Sequence, residues 1–142
     1  MKQSTVIANR CSRVSDAYLL DTNIVIAHLR GDKGVTGRLE KVSLAVISVI
    51  TYGELLQGAL YSARVLHNVT ALQDFSQQIP MIPCEGKTAL AYGEISAALR
   101  KAGQPIPDND LWIAATARQH NFTLVTRDRH FANIPGLRSE MW

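Results

Sequence analysis

The sequence has few of the features that mark a secreted or membrane-bound protein. Its 142 residues include only two cysteines, Cys11 and Cys84, which favours a reducing compartment over a disulfide scaffold. No apolar run approaches the ~20 residues that a membrane-spanning helix needs. The first residues also lack the apolar segment of a secretory signal. We therefore expect a cytoplasmic protein that has no contact with a membrane.

Charged residues are also few, at 19%, while hydrophobic residues make up 46%, which is an ordinary globular mixture. A chain of 142 residues fits one domain with a substantial core. The net charge of +3 is compatible with a polyanionic partner but does not identify one. Residues 1–17 lie outside the regular pattern described next. We therefore expect a flexible N-terminal extension at 1–17, followed by a single domain at 18–142.

Short apolar runs of strand length alternate along the chain with longer segments of helical periodicity. The predicted strands are AYLL, LAVISV, MIPC and FTLVT, with a last one inside GLRSEMW. Helices are predicted between them, and two of these end at Gly31 and Gly103, since glycine commonly follows a helix. PIPDND is predicted to be a loop before the helix DLWIAATARQH. Strands that alternate with helices indicate an α/β fold with a mostly parallel sheet.

Acidic residues gather at one edge of this predicted sheet. Where parallel strands end, crossover helices begin, and sites form at that same edge. Five of the twelve acidic residues fall there, after a strand or near the start of a helix: Asp21, Glu54, Asp108, Asp110 and Asp128. Each aspartate alone has an ordinary explanation as a helix cap or a loop residue. Glu54 is harder to explain, because glutamate is rarely placed near the buried face of an apolar helix without a partner. The joint position of the five acids predicts a functional site.

The neighbouring residues Asp108 and Asp110 are predicted to have different roles. Asp110 shares one helical face with Ile113, Ala114 and Ala117, and this apolar face must pack on the sheet. Asp110 should therefore point towards the ends of the strands. Asp108 stands at the expected N-cap, where its carboxylate can accept hydrogen bonds from free backbone N–H groups. We assign Asp110 to the site and Asp108 mainly to the cap, with a role in the site left open.

A cluster of Asp21, Glu54, Asp110 and Asp128 would need a cation, because like charges at close range raise the pKa of carboxyl groups. A ligand set made only of oxygen atoms favours Mg²⁺ or Mn²⁺. Such a site can activate water for attack on a phosphodiester, with one ion or with two. The four histidines are scattered without the spacing of metal ligands, so we expect them at the surface or in packing roles.

Small polar and basic residues flank two of the acids. Thr22 and Asn23 follow Asp21 and could orient its carboxylate and a water beside the cation, although both residue types also favour helix starts. Arg127 and Arg129 belong to the turn TRDR and are candidate contacts for nucleic-acid phosphates. An exposed position in solvent explains either arginine equally well.

Three segments together resemble a known family. LLDTNIVIAHL, ISVITYGELLQGA and AALRKAGQPIPDNDLWIAATARQHNFTLVTRDRHFANIPGL are similar to the PIN domain of VapC-type toxins, the ribonuclease halves of bacterial VapBC toxin–antitoxin modules. The resemblance runs from about Tyr18 to the C-terminus. It implies an α/β/α sandwich and an endoribonuclease that depends on Mg²⁺ or Mn²⁺. It also implies a homodimer in the bacterial cytoplasm, inhibited by a cognate VapB-type antitoxin.

The resemblance also assigns site residues. Asp21, Glu54, Asp110 and Asp128 match the family's acids and are expected to be the catalytic metal ligands. In some members the acid of the TRD turn is replaced or dispensable, which makes Asp128 the least secure of the four. Residues 1–17 depart from the family pattern, since these toxins usually begin within a few residues of the first strand.

Three alternatives remain at this point. A phosphatase similar to the haloacid dehalogenases would need a second aspartate two residues after Asp21, where this chain has Asn23. A non-catalytic PIN-fold binding module would have little reason to keep all four acids. A nuclease acting on DNA would use the same carboxylates, because metal-assisted hydrolysis does not require the 2′-OH. Only the family resemblance favours RNA over DNA.

Overall fold

The computed structural model describes residues 17–142, so the predicted extension lies outside the described residues except for Ala17, which belongs to the first strand. The elements in chain order are β1 (Ala17–Leu20), α1 (Thr22–Leu29), α2 (Lys33–Lys41), β2 (Leu44–Ser48), α3 (Val49–Leu60), α4 (Val65–Gln78), β3 (Met81–Ile82), α5 (Gly86–Lys101), α6 (Asp108–His120), β4 (Thr123–Val125), a 3₁₀ helix (Arg129–Asn133) and β5 (Arg138–Glu140).

The described strands form a five-stranded sheet in the order β3-β2-β1-β4-β5. Every neighbouring pair in it is parallel, which confirms the predicted sheet. Leu19 in the central strand β1 pairs with Val46 of β2 on one side and with Leu124 of β4 on the other. The carboxyl ends of these three strands therefore lie side by side.

Helices cover both faces of the sheet. Successive strand residues point to opposite sides, and since apolar side chains occur on both sides, each face needs a covering layer. Leu19 and Leu124 pack with α5 and α6 in one core cluster, around Ile95 and Ile113. Leu20 and Val125 pack in a second cluster with helices α1 to α4. All of these strand side chains are fully buried. The result is the predicted α/β/α sandwich.

Most predicted boundaries agree with the structure to within a few residues. Gly31 and Gly103 have φ of +88° and +69°, and each follows a helix as predicted. The predicted loop PIPDND is too long at its C-terminal end, because α6 already begins at Asp108. Strand β3 has two residues where four were predicted. Among the described residues, no helix is long and apolar enough to cross a membrane.

Candidate active site

Asp21 lies at the centre of the sheet edge, directly after β1. Its backbone N–H donates to the carbonyl of Val125 at 2.9 Å, which continues the pairing of β1 with β4. The residue is only 5% exposed. Oδ1 accepts a hydrogen bond from the Thr22 N–H at 2.8 Å, and Oδ2 accepts one from the Thr126 hydroxyl at 2.7 Å. These bonds fix the carboxylate and leave each oxygen able to accept one more interaction.

Glu54 reaches the same edge from α3. This helix begins directly after β2, where the buried Ser48 caps it by accepting a hydrogen bond from the Thr51 N–H at 3.1 Å. Glu54 lies in the second turn and is half-buried. Its Oε1 accepts a hydrogen bond from the Thr22 hydroxyl at 2.8 Å. Thr22 therefore joins the two acids, holding Asp21 with its backbone and Glu54 with its side chain.

Asp110 and Asp128 meet through a histidine. Asp110 lies in the first turn of α6, and Asp128 precedes the 3₁₀ helix that follows β4. His130 Nε2 is 2.9 Å from Asp110 Oδ2, and His130 Nδ1 is 2.8 Å from Asp128 Oδ1. The Asp128 N–H also donates to the Thr126 hydroxyl oxygen at 3.0 Å, so Thr126 connects this pair to Asp21.

Electrostatic interactions link the four acids as well. Burial raises the pKa of Asp21, the hydrogen bonds from Thr126 and Thr22 lower it, and the charges of Asp110 and Glu54 raise it further. Burial also raises the pKa of Asp110, against the lowering effect of His130, and the charge of Asp128 adds to the rise. Within residues 17–142, no lysine or arginine forms an ion pair with these carboxylates. We call Asp21, Glu54, Asp110 and Asp128 the acidic cluster.

The acidic cluster fits a hard divalent cation. Its donors are carboxylate oxygens, and the buried Asp21 has two of them held in place without a basic partner. Ligand atoms of Asp110, Asp128 and His130 lie within 4.8 Å of one another, a group that does not include Asp21 or Glu54. Mg²⁺ and Mn²⁺ favour such oxygen donors.

Comparison with known proteins decides the family. A family model described as the PIN domain matches residues 18–137. The chain belongs to the PIN-domain family. Ribonuclease VapC1 of Haemophilus influenzae is 32% identical over 130 residues, which cover 88% of this chain and 97% of the relative. The tRNA(fMet)-specific endonuclease VapC of Shigella flexneri is also 32% identical over 130 residues, with the same coverage of both chains.

A solved structure gives the same result at the level of the fold. This PIN domain is similar to a chain in the crystal structure of VapBC2 from Rickettsia felis bound to a DNA fragment from their promoter. The TM-score is 0.84 at 33% sequence identity, and the match covers 89% of this chain and 98% of the other. The predicted resemblance to VapC-type proteins is therefore confirmed.

The predicted cap of α6 is wrong in this PIN domain. Pro107 occupies the N-cap, and its carbonyl accepts the N–H of Leu111 at 3.0 Å. Asp108 is the first helical residue, and no side chain caps this helix. The Asp108 carboxylate instead accepts a hydrogen bond from the Tyr92 hydroxyl at 3.0 Å. The φ of proline is fixed in a range that suits the position before the helix. The helix therefore begins one residue earlier than predicted, at Asp108.

The residues that flank the acids make contacts that sequence could not specify. Asn23 accepts the N–H of Arg127 at 3.3 Å, so it holds the TRDR turn, and among the described residues its side chain forms no hydrogen bond with Asp21. Arg127 pairs with Asp32 at 2.8 Å and donates to the Trp142 carbonyl at 2.9 Å, so a phosphate would compete with partners inside the chain. Arg129 is exposed. The proposed RNA contacts of both arginines stay predictions.

Two residues that hold the acids, Thr126 and His130, were not predicted from the sequence. Thr126 could have been found, because it ends the predicted strand FTLVT at the edge where the acids gather. His130 was assigned to the surface or to packing, and the structure places it instead between Asp110 and Asp128. Only the course of the turn after β4 brings its ring back to α6, and the sequence pattern carries no signal of that turn.

Proposed function

We propose that this PIN domain is a metal-dependent endoribonuclease that hydrolyses RNA phosphodiester bonds as the toxin of a type II toxin–antitoxin module. The observation that carries the proposal is the convergence of four carboxylates from β1, α3, α6 and the turn after β4. Relatives named as ribonucleases, which this chain matches over nearly their whole length, support the reaction.

Asp21, Glu54, Asp110 and Asp128 are the catalytic residues in this proposal, and together they hold Mg²⁺ or Mn²⁺. The bound cation would offset the repulsion among the four carboxylates, activate the attacking water and stabilise negative charge on the scissile phosphate. The raised pKa values of Asp21 and Asp110 fit this role, because they record how poorly the two charges are stabilised by protein groups alone.

Neighbouring residues set the geometry of these acids. Thr126 and the Thr22 backbone hold the Asp21 carboxylate, and the Thr22 hydroxyl holds Glu54. Asn23 fixes the turn that carries Asp128 by accepting the N–H of Arg127. Such fixed oxygens place a cation without the cost of ordering flexible side chains at the moment of reaction.

The substrate and partners in this proposal come from the relatives. The Shigella flexneri relative is named as specific for tRNA(fMet), which supports structured RNA as the substrate class. The Rickettsia felis VapBC2 structure supports a VapB-type antitoxin as the partner. Inhibition of the site by that antitoxin and a homodimer are what the resemblance to VapC-type toxins implies. An enzyme with this substrate and this partner would act in the bacterial cytoplasm. Arg129, exposed beside Asp128, is the better placed arginine for a phosphate contact.

Cleavage of a mixed pool of bacterial tRNA and rRNA by the purified protein tests the proposal. We expect discrete fragments with Mg²⁺ or Mn²⁺, no fragments with EDTA, and none with the Asp21→Asn variant. Single-stranded and double-stranded DNA, incubated in parallel, test the alternative of a DNA nuclease.

The outcomes are distinct. Cleavage by Asp21→Asn at the wild-type rate would exclude the acidic cluster as the catalytic site. Cleavage of DNA but not RNA would reassign the substrate. Absence of cleavage together with absence of Mn²⁺ binding by the wild type would favour a non-catalytic binding module.

A further inference from the structure

Within the part of the chain that the structure describes, His130 is the only partner of the side chains of two proposed ligands. Its ring nitrogens lie 2.9 Å from Asp110 Oδ2 and 2.8 Å from Asp128 Oδ1. The His130 backbone N–H also points to Asp128 Oδ1, at 3.5 Å. Among residues 17–142, the side chains of Asp110 and Asp128 have no other hydrogen-bond partner.

Asp128 needs such a partner more than the other acids do. Its side chain is 44% exposed, whereas that of Asp110 is 20% exposed and Asp21 as a residue only 5%. An exposed aspartate on a turn samples several rotamers and loses that freedom only when something holds it. Asp110 is carried by the helix α6, whereas Asp128 lies in the turn that precedes the 3₁₀ helix.

The ring of His130 is itself well anchored. It belongs to the 3₁₀ helix Arg129–Asn133 and packs against Phe131, with the ring centroids 4.8 Å apart. Phe131 is 1% exposed and lies in the core cluster that includes α5 and α6. The imidazole is therefore anchored on the core through Phe131.

We propose that His130 is a positioning residue that clamps Asp128 to Asp110 so that the two carboxylates can share one cation. His130 Nε2 forms a hydrogen bond with Asp110 Oδ2, and Nδ1 lies within ion-pair distance of Asp128 Oδ1. Both ring nitrogens face carboxylate oxygens, so neither is directed at an ion. Each carboxylate keeps a second oxygen, Asp110 Oδ1 and Asp128 Oδ2, that His130 does not occupy. These two oxygens are the ones that the clamp presents to the metal.

The inference rests on the proposed function, because the shared cation is the one assigned to the acidic cluster. The test therefore measures Mn²⁺ affinity by calorimetry as well as RNA cleavage. For His130→Ala we expect the Kd for Mn²⁺ and the Mn²⁺ concentration for half-maximal activity to rise about tenfold or more, because loss of a residue that holds a metal ligand typically weakens metal binding by that factor. Most of kcat should return at saturating Mn²⁺, which a general structural defect would not allow.

Two conservative variants test the contacts of His130 with Asp128 and with Asp110 separately. His130→Asn keeps an N–H donor near the Nδ1 position, towards Asp128, and His130→Gln keeps one near the Nε2 position, towards Asp110. We expect His130→Asn to restore Mn²⁺ affinity the more fully, because Asp128 is the more exposed carboxylate. Both variants keep the inference testable should the alanine variant fail to fold. His67→Ala, an exposed histidine of α4, is the matched control and should bind Mn²⁺ like the wild type.

Three results would overturn the clamp. One is a His130→Ala variant that binds Mn²⁺ as tightly as the wild type does. If Asp21→Asn fails to bind the ion in the same experiment, the proposed function stays intact. Another is equal loss of affinity in the alanine, asparagine and glutamine variants. The third is a directly coordinated nitrogen in the electron spin echo spectrum of bound Mn²⁺ that disappears in His130→Ala, because His130 would then be a ligand. A wild type that neither binds Mn²⁺ nor cleaves RNA would reject the proposed function itself.

Discussion

Thr126 connects two of the acids through a single hydroxyl group. It donates to Asp21 at 2.7 Å and accepts the N–H of Asp128 at 3.0 Å, and the residue is 2% exposed. In Thr126→Val, a buried carboxylate oxygen and a backbone N–H would both lose their partner. We expect a loss of about 1–3 kcal/mol in the free energy of unfolding and a clear fall in RNA cleavage.

The matched control for this prediction is Thr126→Ser, which keeps the hydroxyl and loses only a methyl group. Chemical denaturation of the metal-free proteins measures the stability difference. Equal stability and equal cleavage in the valine and serine variants would show that the hydroxyl does not hold the acids.

Asp108 should tolerate loss of its charge. Its carboxylate accepts a hydrogen bond from the Tyr92 hydroxyl, and this bond is the main cause of the raised pKa of Tyr92. An asparagine oxygen can accept the same bond, so Asp108→Asn should cleave RNA almost like the wild type and unfold within about 0.5 kcal/mol of it. The pKa of Tyr92, followed by ultraviolet absorbance, should fall only in part, because the variant removes the charge of residue 108 but keeps the hydrogen bond that is the main cause of the rise. A loss of cleavage as large as that of Asp110→Asn would place Asp108 in the site.

At the scale of elements, the start of α3 determines where Glu54 lies. The Ser48 hydroxyl oxygen caps this helix through the Thr51 N–H, and Ser48 is fully buried. Ser48→Ala should cost about 1 kcal/mol of stability, as loss of an N-cap typically does. Cleavage should fall as well, because the first turns of α3 present Glu54 to the cluster. Ser76→Ala on α4 serves as a control, since the Ser76 hydroxyl has one partner among residues 17–142, the Gln73 carbonyl of its own helix. Equal melting temperatures for the two variants would contradict the role of the cap.

The sequence was informative wherever position within an element decides where a side chain points. Asp21 and Asp128 follow strands, and Asp110 shares a face with buried residues of α6, so periodicity alone places them at one edge. Periodicity does not specify contacts made by turns. Asn23, Arg127 and His130 all lie in or against the turn after β4, and each has partners that depend on its course. The cap of α6 was misassigned for a similar reason, because local preference did not distinguish Pro107 from Asp108.

At the scale of the whole molecule, the acidic cluster makes stability depend on pH. The pKa values of Asp21 and Asp110 are raised in the folded state. Their contribution to stability is therefore fully present below the pKa of an unfolded aspartate, about 3.9, and is lost as the pH rises through the folded values. The exposed Asp32 has the opposite sign, since Arg127 lowers its pKa and its contribution is lost as the pH falls. The metal-free protein thus carries a destabilising charge cluster at neutral pH.

Asp21→Asn and Mn²⁺ should relieve this repulsion in two separate ways. Without metal, the variant should melt a few degrees above the wild type at neutral pH, and the difference should vanish near pH 4, where a wild-type aspartate also takes up a proton. Mn²⁺ should raise the melting temperature of the wild type at neutral pH but not near pH 4, because protons compete for its ligands. It should have little effect on the variant at either pH. Thermal melts of both proteins at the two pH values, with Mn²⁺ and with EDTA, measure all of these differences. The same stabilisation of Asp21→Asn at both pH values would mean that repacking, and not charge, accounts for it.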